Sequence, residues 1–305
     1  MSSTRMHREG TLFALAAYLI WGLFPIYWKQ LNGVPALQLV GHRIVWSFVL
    51  LATVVLLGGQ GKALLAAVDR HAARTYAFAA LLISVNWFAY VWAVTHGLIV
   101  DASLGYYINP LFSVLLGVVV FRERLRPLQW LPIAIAAAGV AYLTLTLGSF
   151  PWLALLLAVT FGLYGAVKKA APLGSLFGLT TETAVLFIPA VGYLFFCEAA
   201  GHGAFLHSSP KENLMMAGGG LVTAVPLLLF AAAASRVPMT TIGILQYMTP
   251  TMQFLLGVIV YREAFPAARL IGFGLVWTAL GVFWFEGLHS RRTLVRAAHP
   301  HRADP

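Results

Sequence analysis

Residues 101–126 read DASLGYYINPLFSVLLGVVVFRERLR. The stretch is one apolar run of membrane-spanning length, with a proline inside it and a basic stop after it. It recurs further along the chain. Pro110 to Glu123 reads PLFSVLLGVVVFRE and Pro250 to Glu263 reads PTMQFLLGVIVYRE, eight of fourteen positions identical without a gap at an offset of 140. The period is about half the chain, so it marks duplication of a five-helix unit rather than a solenoid. Trp21-Gly22-Leu23 lies over Phe161-Gly162-Leu163, Lys29 over Lys169, His42 over Glu182, Arg43 over Thr183 and Asn86 over Pro226. The offset divides the chain into halves 1–147 and 148–288, followed by a basic tail, 289–305.

Composition sets the solvent. The chain is 60% hydrophobic and only 10% charged, with a mean hydropathy of +0.82; soluble domains carry about 25% charged residues. The expected fold is an all-α membrane protein of ten transmembrane helices, at about 11–31, 36–57, 74–96, 101–121, 127–147, 150–170, 177–197, 214–235, 239–261 and 266–288. The apolar run to Leu31 is too long for a signal-peptide core and lacks a small-residue cleavage site after it, so it reads as an uncleaved first span. The net charge of +10 invites a nucleic-acid reading, but the basic residues flank apolar segments, as a loop bias requires. With the N-terminus cytoplasmic, fifteen Lys and Arg fall inside and four outside, while Arg43 sits within a span. Both termini are therefore expected in the cytoplasm. Five helices is an odd number, so the second copy enters from the opposite side. An inverted repeat of this kind is a common transporter design, with a site near the midplane between the halves.

Polar groups in hydrocarbon are costly and mark candidate sites. Arg43 and Glu182 each suit a cavity: the cation facing a solute carboxylate, the acid facing an ammonium or a proton. Snorkelling of Arg43 and a structural hydrogen bond for Glu182 are the alternatives. His42 and Glu182 are the two groups through which proton coupling would run. Asn86, Trp87 and Tyr90 share the third span. Asn86 and Tyr90 are four apart, on one face, and suit a small amphipathic or aromatic solute; helix–helix hydrogen bonding is the alternative. Tyr106, Pro110 and Ser113 fall on one face of the fourth span and are echoed by Gln246, Pro250 and Gln253. Pro110, Pro226 and Pro250 each remove a helical donor and are expected to break their helices. Carbonyls freed beside Tyr106 and Gln246, next to Tyr247, suit a cavity lining; a packing kink is the alternative. Arg122, Glu123 and Arg124, and later Arg262 and Glu263, read as interfacial stops, and most of the aromatic residues as belt or lipid-facing.

Other chemistry lacks its motifs. The lone cysteine, Cys197, excludes an intramolecular disulfide and a cysteine metal site, and His289, His299 and His301 lack a ligand spacing. There is no phosphate-binding Gly-Lys-Ser/Thr loop, no paired-aspartate motif and no recognisable nucleophile–base pair. No cofactor is expected; the expected partners are a small-molecule solute and the lipid bilayer.

The chain resembles the RarD family of the EamA, or drug/metabolite transporter, superfamily. The resemblance rests on ALAAYLIWGLFPIYWK (14–29), HRIVWS (42–47), NWFAYVWAV (86–94), DASLGYYINPLFSVLLG (101–117), PWLALLLAVTFGLYGAVKK (151–169) and TAVPLLLFAAAASRVPMTTIGILQYMTPTMQFLLG (223–257). It implies two inverted five-helix EamA repeats in an inner membrane and a permease. Relatives in the superfamily export amino acids and other metabolites, and RarD proteins are often labelled chloramphenicol-sensitivity proteins. Two positions depart from the family pattern: Gln38 stands where a Glu is usual, and Lys168 where Arg is common. A membrane-embedded lipid enzyme and a non-transporting scaffold are the competing classes.

Overall fold

In a bilayer the backbone must satisfy its own hydrogen bonds, and the helix does so within one segment. A computed structural model describes residues 3–95, 99–147 and 152–260, and then residues 271, 274–275, 277–279, 281–282 and 285. Among these there are α-helices and short 3₁₀ or π turns, with no strand. The helices are α1 (Ser3–Trp28), α2 (Ala36–Leu57), α3 (Gly61–Ala67), α4 (Arg70–Thr95), α5 (Ile99–Val119), α6 (Trp130–Leu147), α7 (Trp152–Ala170), α8 (Ser175–Ala199), α9 (Pro210–Ala234), α10 (Met239–Gln246) and α11 (Met248–Leu255). Five segments among the described residues are long and apolar enough to cross a membrane: Arg5–Leu31, Ala36–Leu57, Trp152–Ala170, Ser175–Ala199 and Pro210–Ala234. The tenth expected span and the basic tail lie largely outside the described residues, as do Arg262 and Glu263.

Three details differ from the expectation. The second connection carries a short helix, α3. The ninth span is two helices, parted at Tyr247, with a π turn over Leu256–Val260. Pro250 explains the parting: it cannot donate to the Gln246 carbonyl, and the Tyr247 N–H tightens onto Ile244 O at 3.3 Å. Pro110 and Pro226 do not break their helices, because α5 and α9 run through them. One missing bond is tolerated where neighbouring helices hold the flanking turns.

Close packing depends on small residues. A Cβ on Gly220 of α9 would lie 2.4 Å from the backbone carbon of Trp46 on α2. This approach lets Ser47 Oγ donate to Gly220 O at 3.1 Å. A Cβ on Gly22 would lie 2.7 Å from Met252 Cβ, and one on Gly162 would lie 2.4 Å from Phe112 Cδ1. Both contacts join a glycine to a residue of the helix packed on it, and their members are 140 apart. Trp21 and Phe161, also 140 apart, pack edge-on with centroids at 5.7 Å. They belong to an aromatic cluster with Tyr18, Tyr164 and Phe230 in the largest core.

Gly220→Val should force α2 and α9 apart and destabilise the protein by about 1–3 kcal/mol or more. Gly192→Ala, where a Cβ meets nothing within 4 Å, should leave the melt within experimental error. Thermal unfolding of the two purified variants in one detergent checks the contrast.

Candidate functional site

Arg43 projects from α2 into a chamber walled by α1, α4 and α9. Its Nε donates to Thr223 Oγ1 at 2.9 Å. Its guanidinium carbon lies 4.6 Å from the Trp87 ring centroid, 5.0 Å from that of Trp28 and 5.9 Å from that of Phe24. Gly219 lies against its stem: a Cβ there would sit 3.6 Å from Arg43 Cγ, an ordinary van der Waals contact. Among the described residues no carboxylate comes within 4.0 Å of the guanidinium. A planar, weakly hydrated cation suits aromatic faces, and each such contact is worth about 0.5–2 kcal/mol. The arrangement leaves the guanidinium's forked donors for an anionic group, beside rings that suit an apolar body.

The neighbouring phenols extend this wall. Tyr90 of α4 and Tyr106 of α5 meet edge-on with centroids 6.0 Å apart, and both lie within electrostatic reach of Arg43, as does Tyr27. Tyr27 in turn donates to the Met215 carbonyl. Arg43, Trp87, Tyr90 and Tyr106 are therefore brought together. Trp28, Phe24 and Thr223 join them, although nothing in the sequence singled them out. Their one signal was position: Phe24 and Trp28 are four apart, on the face of α1 that also carries Trp21.

The other expected site residues serve different contacts. Asn86 spends its amide donors on Leu157 O and Thr160 Oγ1 of α7, each at 2.9 Å, which is the helix–helix alternative. Gln246 and Tyr247 are buried at the break between α10 and α11. Gln246 Oε1 is buried without a hydrogen-bond partner, while Tyr247 packs with Pro110, Val114 and Ile244 around an apolar crevice. His42 is buried, its ring 5.0 Å from Phe205.

Glu182 does not face the Arg43 chamber with a free carboxylate. One oxygen lies 2.5 Å from Lys168 Nζ and the other accepts from Tyr164 Oη at 3.0 Å. Both side chains of the ion pair are 2% exposed. The expected acceptor of an ammonium is thus filled by the protein's own cation. In the sequence Lys168 stands out only as a departure from Arg, and nothing there signals its pairing between α7 and α8. Glu123 was likewise more than an interfacial stop. Its carboxylate accepts from the N–H groups of Met239 and Thr240 at 2.7 and 3.0 Å, capping α10 from the end of α5. It also lies 3.8 Å from Lys169 Nζ, which donates to Val237 O.

The Gln38 departure has a local account. The side chain is 2% exposed; its Nε2 donates to His202 O at 2.7 Å and its Oε1 accepts from Ala204 N at 2.8 Å. An amide does both at once, whereas a carboxylate would need a proton to donate. Among the described residues no cluster of three potential metal ligands occurs.

Lys168→Met should cost about 3–5 kcal/mol by stranding a buried carboxylate. Lys168→Met with Glu182→Gln should recover most of that loss. Unfolding midpoints of the two variants test the pairing, and equal loss in both would refute it.

The comparisons with known proteins agree on one family. The profile described as "EamA-like transporter family" matches residues 8–145. The chain is 44% identical over 293 residues to "Uncharacterized transporter YojE" of Bacillus subtilis, covering 93% of this chain and 96% of that one. It is 42% identical over 295 residues to "Protein RarD" of Streptomyces exfoliatus, covering 96% and 93%. A crystal structure superposes with a TM-score of 0.67 over 90% of this chain and 96% of that chain; at 20% identity it speaks to fold alone. Near-full-length identity to RarD and its transporter relatives, on an all-helical apolar bundle, places this chain in the RarD group of the EamA-like transporter family, as a multi-pass membrane permease.

Proposed function

We propose that the protein is a secondary transporter that exports small amphipathic solutes, amino acids or drug-like compounds, by alternating access. The observation that carries this reading is the Arg43 chamber: a half-buried guanidinium without a carboxylate partner among the described residues, ringed by Trp28, Trp87 and Phe24. A solute with a carboxylate and an apolar or aromatic body meets both features. In this reading the halves 1–147 and 148–288 are inverted repeats that rock about the solute. Contacts that recur 140 residues apart, at Gly22 with Met252 and at Gly162 with Phe112, support that division. So do the matched starts of α4 and α9, at Arg70 and Pro210, and of α5 and α10, at Ile99 and Met239. The charge bias supports both termini and the basic tail on the cytoplasmic side, and the family resemblance implies an inner membrane. Since Lys168 holds Glu182, His42 is the residue we assign to proton coupling.

The test is ligand-dependent thermal stabilisation of the purified protein, screened over amino acids and amphenicols, followed by flux of each hit in proteoliposomes. Binding to the native state raises apparent stability by mass action. Arg43→Ala should weaken a carboxylate-bearing hit by about tenfold or more, the loss of one charge-assisted hydrogen bond, and Trp87→Ala should weaken it less. A transported solute whose affinity survives Arg43→Ala would remove this chamber from the solute path.

A further inference from the structure

A polar cavity of about 340 Å³ opens where α1, α4, α7, α8 and the end of α9 converge. Among the described residues its lining includes Met6, Tyr76, Lys168, Ser175 and Arg236, and no Asp or Glu. Two cations therefore border one space with no described acid on its wall. Lys168 has three donors; its one described hydrogen-bond partner is Glu182, and its ammonium lies 5.2 and 5.4 Å from the Tyr76 and Tyr164 ring centroids. Arg236 has five donors; Nη1 bonds to Ala232 O at 2.7 Å and Ser235 Oγ at 3.4 Å, and the guanidinium lies 5.4 Å from the Phe13 ring centroid. Donors remain on both side chains. Tyr76 Oη is engaged with Leu173, donating to its carbonyl and accepting from its N–H. The 25-residue helix α8 starts at the same wall, and its N-cap, Gly174, supplies no side-chain cap.

We infer that this cavity is an oxyanion-binding vestibule, separate from the Arg43 chamber, in which Arg236 and Lys168 receive a carboxylate or phosphate group. Two paired carboxylate or phosphate oxygens match the guanidinium fork, and the ammonium acts as a point charge beside it. Entry of an anion competes with Glu182 for Lys168, so occupancy loosens the ion pair that ties α7 to α8. The anion is either the charged end of a soluble compound or the headgroup of an anionic lipid. Their chemistry at the wall is the same.

Gly174 supplies a test that does not rest on removing a packed residue. A Cβ there meets nothing within 4 Å, and its φ of −60° and ψ of 162° suit an ordinary N-cap residue. Gly174→Asp should cap α8 and hold or raise stability while placing its own carboxylate in the cavity. The melting temperature is followed in neutral detergent with benzoate, inorganic phosphate, or micelles doped with phosphatidylglycerol, against chloride and phosphatidylcholine at matched ionic strength. At least one oxyanion should raise the midpoint saturably, by roughly 5 °C at a hundredfold excess over Kd. The rise should persist in Arg43→Gln and vanish in Arg236→Gln and in Gly174→Asp. A response to soluble anions assigns the vestibule to a solute; a response to phosphatidylglycerol alone assigns it to a lipid headgroup. The inference fails if no oxyanion exceeds its control, if the rise survives in Arg236→Gln or Gly174→Asp, or if Arg43→Gln alone abolishes it.

Discussion

The cost of holding a charge in a low-dielectric bundle governs this structure, and the chain meets it in two ways. Lys168 and Glu182 neutralise each other at 2.5 Å, with Tyr164 on the remaining carboxylate oxygen. Such a pair closes on itself and adds little net stability compared with apolar packing, yet breaking it is expensive. Arg43 is treated differently. It has one hydroxyl and three ring faces, which ease its burial without neutralising it. The pair is neutral as a unit, whereas Arg43 keeps its charge without a carboxylate among the described residues, which is where a solute carboxylate gains most.

The glycines decide how near those charges come to their surroundings. Gly219 lies against the Arg43 stem, and Gly220 beside it brings the α9 backbone against Trp46. One face of α9 thus accommodates the cation and the next position fixes α2, the helix that carries it. Asn86 performs the complementary task on α4, where its amide anchors Trp87 and Tyr90 to α7. Residues expected to touch solute therefore include some that hold its walls in register.

Much of the fold class was legible because a bilayer reduces the choices to apolar length. The run at 101–126 and its echo at 250–263 carry the proposed division into halves, and the intramembrane Arg43 stood out by charge alone. The partners were not legible. Trp28 and Phe24 resemble any other aromatic residue of an apolar span, and only three-dimensional packing turns them toward Arg43. Lys168 lies near a helix end, where a lysine ordinarily reaches water, so its inward turn to Glu182 left no trace in spacing. Glu123 caps a helix 116 residues away, a contact that no local pattern encodes. The prolines were misjudged for a related reason: a ring removes one donor, but the neighbours decide whether the helix parts, as it does near Pro250 and not at Pro110 or Pro226.

The parting at Tyr247 also alters the field inside the bundle. α10 and α11 have eight residues each, about 12 Å apiece at 1.5 Å per residue, so neither alone crosses a hydrocarbon core of about 30 Å. The C-terminal end of one helix and the N-terminal end of the next therefore meet well inside the bundle. Tyr247 itself keeps a helical backbone, φ −60° and ψ −15°, so the chain direction runs on through the junction while the Gln246 carbonyl faces a proline that cannot donate to it. The unpartnered Gln246 Oε1 sits beside that junction. An uninterrupted helix spends its carbonyls on its own N–H groups; this one sets a backbone carbonyl opposite a proline at depth, next to a side-chain acceptor that is also unpartnered.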